Sequence, residues 1–261
     1  MTKRPAVNKE VAKAIHDYLL GMADDELILG HRNSEWCGHA PILEEDIAFA
    51  NIALDEIGHA VLWYELAAEA IGESMETYPD KLVYGRPVRE FRSSLLVEQH
   101  IGDWAFTILR QFLFDSYEIA LLRSLVGSAH DSLAARAAKV KTEEAYHLLH
   151  TTSWVERLGK GTKESHRRLQ AALDRCWPLC RQLFHPSKES LILADEDILG
   201  PAESIEARWN EDVEPILESS GLVIREVRDA RILERSEHSE HLSVLLTELQ
   251  AVARAYPGVE W

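Results

Sequence analysis

Apolar residues recur along this chain at alternating steps of four and three, the spacing of one face of an α-helix. In a helix predicted over 132–158 that face reads Leu133, Ala137, Val140, Glu144, His147, Thr151, Trp154 and Leu158. In a helix predicted over 42–71 it reads Phe49, Ile52, Glu56, His59, Trp63, Leu66 and Ala70. Both faces are interrupted at the middle by a Glu and a His three residues apart. A helix over 9–30 carries Ile15, Leu19, Met22, Glu26 and Leu29, and another over 101–126 carries Ile101, Ala105, Ile108, Phe112, Asp115, Ile119, Leu122 and Val126. Each of these two stripes holds a single acid. Asp24 and Asp25 fall off the first stripe and are expected in solvent. The 42–71 helix has a second apolar stripe, Leu43, Ile47, Ala50, Leu54, Ile57 and Val61, which predicts a central position in the bundle.

The connections follow from the breakers. Gly38 and Pro41 end the first turn region, and Pro79, Gly85 and Pro87 mark an irregular crossover over 72–89, with a short helix before residue 99. Asp131 is the expected N-cap of the fourth helix, and Gly159 its end. Beyond Thr162 the pattern predicts a helix over 163–184, kinked or stopped at Pro178. An acid-rich loop over 185–201, a helix over 204–219 interrupted at Pro215, and a stretch over 222–235 with extended pieces follow. A last helix over 237–256 precedes the tail.

A buried carboxylate without a partner is costly, and a metal cation is one natural partner. Two Glu-x-x-His pairs, with one further carboxylate from each of two other helices, form the ligand set of carboxylate-bridged di-iron bundles. The expected fold class is therefore all-α: a ferritin-like four-helix bundle with one long crossover and additional C-terminal helices. It is read as a single ferritin-like domain over 1–261, with a core at about 9–158 and an extension at about 163–261. The expected metal ligands are Glu26, Glu56, His59, Asp115, Glu144 and His147, with Glu56 and Glu144 bridging. Asp115 lies roughly 16 Å from the end of its helix, and Glu144 roughly 18 Å along the next, so a short turn sets them level. Glu118, on the same face as Asp115, sits about 5 Å off that level and ranks below it. Carboxylates and imidazoles suit iron, manganese and zinc alike, so a di-iron centre and another divalent metal both remain open.

Charge narrows the partners. With 44 acids against 28 Lys and Arg the formal net charge is −16, which argues against nucleic acid. No apolar run reaches membrane-span length, and three cysteines argue against a disulfide framework, so a reduced cytoplasmic setting is expected. Cys176 and Cys180, four apart, read as packed thiols. Glu237-His238-Ser239-Glu240-His241 reads as a solvated first turn. Lys160, Lys163, Arg167 and Arg168 form a basic cluster, either a solvated face or a partner contact. The Trp36-Cys37-Gly38-His39 loop is either a packed corner or a contact for a partner or substrate. Helices apolar on two faces expose more than one bundle seam can cover, so a homo- or hetero-oligomer is expected.

Several longer motifs are specific. They are Glu35-Trp36-Cys37-Gly38-His39-Ala40-Pro41, Ala50-Asn51-Ile52-Ala53-Leu54-Asp55 with Gly58, and Leu95-Leu96-Val97-Glu98-Gln99. Arg110-Gln111-Phe112 with Asp115, Tyr146-His147-Leu148, Trp154 to Gly159 with Gly161-Thr162, and Pro257-Gly258 with Trp261 complete the set. Through them nearly the whole chain resembles the C-subunit family of phenylacetate degradation. The resemblance implies a ferritin-like subunit of the multicomponent 1,2-phenylacetyl-CoA epoxidase, which uses oxygen and reductant to epoxidise an aromatic ring. It also implies an A subunit, carrying the working di-iron site, as partner, and a C subunit that is structural, its ligands partly lost. Some members lack acids at the positions of Glu26 and Glu144 and carry an apolar residue and Gln at those of Glu56 and His59. Here all four ligands are present. A stand-alone di-iron oxidase or oxygenase and a metal-free scaffold are the competing readings.

Overall fold

The computed structural model describes residues 8–225, 232 and 234–259. Among them the regular structure is helical. Helix α1 (Lys9–Ser34) begins at Asn8, whose side chain accepts from the Glu10 amide, and α2 (Leu43–Ile71) ends at Gly72 in the left-handed conformation. The crossover is more ordered than its breakers indicate: it contains α3 (Tyr78–Gly85), a 3₁₀ turn (Val88–Glu90) and α4 (Leu95–Glu98). Helix α5 (Trp104–Leu125) is capped by Asp103, and α6 (Asp131–Gly159) by His130, whose ring accepts from the Leu133 amide. Asp131 is thus the first helical residue rather than the cap.

Helix α7 (Lys163–Cys180) starts with a Thr162–Ser165 capping box and gives way after Pro178 to a 3₁₀ turn (Arg181–Phe184). The acid-rich stretch after it is not all loop. A Ser187–Ser190 capping box opens α8 (Lys188–Asp195) there. Helix α9 (Ala202–Ser219) runs through Pro215 without a break, and α10 (Glu240–Leu249) and α11 (Ala251–Ala255) close the described chain. Of the stretch 222–235, where extended pieces are expected, residues 226–231 and 233 lie outside the described residues, and the described ones form no strand.

Helices α1 and α2 pack along their lengths, as do α5 and α6, and α2 meets α6 across the pair. Gly30 lets α1 and α2 close up. A Cβ there would stand 2.9 Å from the Ile57 side chain and 3.0 Å from the Ala53 carbonyl oxygen. The central helix is α5, not α2. Apolar and buried on nearly every side, α5 is wrapped by α6, α7 and α9. The second stripe of α2 lies open instead, with Leu43 70% and Leu54 68% exposed and Ile47 and Val61 also out. One contiguous set of buried apolar side chains runs from α1 through α5 into α7, α9 and α10.

Asp24 and Asp25 are buried rather than solvated. The far side of α1 is covered by the crossover and the C-terminal segment, which bring cations with them. Arg86 clamps both oxygens of Asp24, joined by the Tyr64 hydroxyl and the Arg92 amide, and Arg235 and the Ser94 amide hold Asp25. His238 and Ser239, expected in a solvated turn, instead clamp the buried Glu98, with His238 Nδ1 at 2.7 Å. All three cysteines are free, with Cys176 and Cys180 buried together. Trp36 is a packed corner whose indole donates to Thr107, while Cys37 and His39 face out. The basic cluster is exposed and tied locally: Lys160 to Glu156, and Arg167 and Arg168 to Glu164. No described helix is long and apolar enough to cross a membrane.

Candidate metal centre

Four helices deliver acids to one buried point. Glu26 comes from α1, Glu56 and His59 from α2, Asp115 and Glu118 from α5, and Glu144 and His147 from α6. All seven side chains are buried. The inward stripes carry them there because each lies in phase with the apolar residues around it. Glu26, Glu56, His59 and Glu144 each offer a ligand atom, and these atoms lie within 4.8 Å of one another. His59 Nδ1 is 3.2 Å from Glu144 Oε1 and 3.6 Å from Glu26 Oε2. His147 Nδ1 is 2.9 Å from Glu144 Oε1 and 3.7 Å from Glu56 Oε1.

The outer ring of polar contacts is regular. The acid preceding each Glu-x-x-His glutamate holds the histidine of the opposite helix. Glu143 is 2.8 Å from His59 Nε2, and Asp55 is 3.3 Å from His147 Nε2. With Nε2 engaged outward, each ring turns Nδ1 toward the acids, the arrangement by which carboxylates fix metal-binding imidazoles. The Trp63 indole donates to Glu26 Oε1 at 3.2 Å, and the Gln111 amide to Glu56 Oε1 at 2.6 Å.

What remains after this ring is a set of buried polar atoms without hydrogen-bond partners: Glu26 Oε2, Glu56 Oε2, Glu118 Oε2, both oxygens of Glu144, and Nδ1 of both histidines. Native proteins rarely leave such groups without a hydrogen bond; here these imidazole nitrogens and carboxylates meet only as ion pairs, and all of these atoms converge. The donor set, carboxylate oxygens and imidazole nitrogens, suits a divalent cation.

Asp115 and Glu118, ranked by helix rise with Asp115 first, differ in how their oxygens are engaged. Asp115 Oδ1 accepts from Gln111 at 2.7 Å, and its Oδ2 hydrogen-bonds the Thr151 hydroxyl at 2.7 Å. Glu118 lies against Glu144 and Glu26 with an oxygen free. Rise along a helix sets height but says nothing of which oxygens are already engaged. Among the sequence signals, only Glu118's shared face with Asp115 pointed to it.

Protonation reports the same crowding. Burial, then the charges of Glu144 and Glu26, push Glu56 and Glu118 well above the usual carboxylate range. Burial and Glu144 raise Asp115 to about 8. Burial works against charge on the histidines, yet Glu144 and Glu26 raise His59 to about 11, and Glu144 with Asp115 raises His147 to about 9. Burial alone would raise Glu144, but His147 and His59 bring it down to about 2. Without a cation, Glu26 and Glu144 thus hold the two histidines toward the imidazolium form, and burial with crowding holds Glu56, Glu118 and Asp115 toward their protonated forms. A divalent ion enters by displacing protons.

The whole chain, residues 1–261, matches the family model described as phenylacetic acid catabolic protein. It is 38% identical to the C subunit of the 1,2-phenylacetyl-CoA epoxidase of Escherichia coli K12 over 245 residues, 94% of this chain and 98% of that one. Among solved structures it is similar to protein 19 with aldehyde deformylating oxidase activity from Synechococcus. The TM-score is 0.53 and the identity 15%, over 92% of this chain and 93% of the other. That likeness bears on the fold, a ferritin-like helical bundle. Matched from end to end by the family model, and by an epoxidase C subunit at more than a third identity, the chain belongs to the phenylacetic acid catabolic protein family.

Proposed function

We propose that this chain acts as a C subunit of a 1,2-phenylacetyl-CoA epoxidase, docked on a catalytic A subunit, and that it binds a divalent metal of its own. The observation that carries the epoxidase reading is the identity with a known C subunit over nearly the full length of both chains. That likeness disfavours a stand-alone oxidase. The open face of the molecule fits an assembled protein. Leu43, Ile47, Leu54 and Val61 on α2 and Tyr146 and Leu149 on α6 are all exposed, a run of apolar surface that marks an interaction site.

The converging buried atoms that lack hydrogen bonds support the metal reading. Glu26, Glu56, His59 and Glu144 would hold the ion, with Glu118 beside them. Reduced iron there would supply electrons to oxygen chemistry, whereas a redox-inert ion would act as a clamp between helices. The chain's own part is positional. Glu143 fixes the His59 ring, Trp63 and Gln111 orient Glu26 and Glu56, and the apolar walls of α1, α2 and α5 keep water out.

Co-expression with an A-type subunit tests the first half. A joint complex is expected on size-exclusion, with loss of phenylacetyl-CoA epoxidation when this chain is omitted. Leu54→Asp with Tyr146→Asp should break the complex while leaving the isolated fold intact. A chain that ignores the A subunit, or an epoxidation rate unchanged without it, would sink the reading.

A further inference from the structure

The two halves of the cluster are not equivalent, and a chain of side-chain amides makes the difference. It begins at Arg110, which is fully buried. Arg110 donates from one nitrogen to the Gln99 carbonyl at 2.8 Å and from another to Asn33 Oδ1 at 3.1 Å. A guanidinium has donors only, so Asn33 must present its oxygen to Arg110 and its nitrogen the other way. Asn33 Nδ2 accordingly donates to Gln111 Oε1 at 2.8 Å. That in turn forces the Gln111 nitrogen toward the acids, where it donates to Glu56 Oε1 at 2.6 Å and Asp115 Oδ1 at 2.7 Å. No amide in this relay can flip without setting donor against donor.

The consequence falls on one side only. A second ion beside His147 would need an oxygen of Glu56 to bridge and a terminal carboxylate from Asp115, the α5 acid that acts on His147, since Glu118 lies against Glu26. Gln111 occupies the Glu56 oxygen nearer His147 and one Asp115 oxygen, and the Thr151 hydroxyl engages the other. The polarised N–H edge of the amide also points where a cation would have to sit. On the His59 side the Trp63 indole takes only one Glu26 oxygen and leaves Oε2 free, together with Glu56 Oε2, His59 Nδ1 and the Glu144 carboxylate.

We propose that Gln111 makes this a one-ion centre: a single divalent cation is held by Glu26, Glu56, His59 and Glu144, and the Gln111 amide bars a second from the Asp115–His147 half. The inference rests on the metal reading above and adds its stoichiometry and the residue that sets it. Gln111 is a positioning residue here, acting through Glu56 and Asp115.

The test is manganese titration of the full-length chain after chelator treatment, read by elemental analysis and electron paramagnetic resonance. The parent protein should take up one Mn²⁺ per chain with the spectrum of an isolated ion, and bind a second at least 100-fold more weakly. Gln111→Glu keeps the acceptor that Asn33 needs and replaces the blocking N–H with a ligand oxygen. It should take up two ions and show a spin-coupled spectrum. Gln111→Leu removes the blocking N–H without adding a ligand, so it should narrow the gap between the first and second affinities without making them equal. Two ions of matched affinity in the parent overturn the inference while leaving the metal reading standing, and so does a single ion in Gln111→Glu. No ion in the parent removes both.

Discussion

Helix α1 carries three consecutive buried acids, and the protein treats them in two ways. Asp24 and Asp25 meet guanidinium groups, from Arg86 and Arg235. Glu26 and the acids around it, among the described residues, form ion pairs with imidazoles instead, at His59 and His147. An arginine never gives up its proton in a protein, so the first arrangement is permanent. An imidazole can release its proton and offer a lone pair, so the second can be exchanged for a metal. Adjacent residues on one helix thus separate a structural charge from a binding charge by the choice of counter-ion alone.

The largest break in this comparison comes from removing a permanent cation. Arg86→Ala leaves Asp24 buried against Tyr64, and losing one member of a buried pair typically costs about 3–5 kcal/mol. Chemical denaturation should show that loss both with and without added metal. A loss that added metal repairs would erase the distinction between the two regions.

The exchangeable region should differ in its response to metal. Glu56→Ala with His59→Ala should destabilise the metal-free protein as well, because it takes the imidazolium from Glu26 and Glu144 and leaves a cavity. It should abolish stabilisation by metal, worth about 2.7 kcal/mol when the ion is at 100 times its Kd. Thermal melts across a manganese series distinguish the two terms.

A subtler contrast lies in pH. Asp115 is raised from 3.8 to about 8, so the native state holds its proton more tightly than the unfolded chain does. Its contribution is therefore complete below about 3.8 and is lost as pH rises through about 8. Metal-free parent protein should melt progressively lower from pH 5 to 8, by up to about 1.4 kcal/mol per pH unit for one proton. Asp115→Asn should flatten that slope, and equal slopes in the two proteins would remove Asp115 from the cluster's electrostatics.

The smallest effect is expected at the basic cluster. Lys160→Glu with Arg168→Glu disturbs only exposed pairs with Glu156, Glu164 and Asp103, so stability should shift by no more than about 0.5 kcal/mol. Binding to an A subunit should keep its salt dependence. A steep salt-dependent loss would turn this solvated face into a docking face.

The four bundle helices and the convergence of Glu26, Glu56, His59, Glu144 and His147 were legible in the sequence because a charge inside an apolar stripe is a local signal. The covering of α1 was not. Nothing near Asp24 tells that Arg86 lies over it, 62 residues away. The roles of α2 and α5 were misjudged because two apolar stripes look alike whether neighbouring helices or a partner cover them. Helix α8 was missed because its start depends on the Ser187–Ser190 box, within a stretch whose acids resemble a loop. His238 was misread for the reason Asp24 was: its partner, Glu98, lies 140 residues upstream.

The clamp between Asp25 and Arg235 joins residues 210 positions apart. During synthesis the first helix leaves the ribosome with its acids, long before the arginine that neutralises Asp25 has been made. Until then α1 can bury that face only by stranding a charge or by protonating Asp25, so the arrival of Arg235 favours its final docking. A chain cut short before that residue would keep every residue of the four-helix core and still lack the cation that meets Asp25.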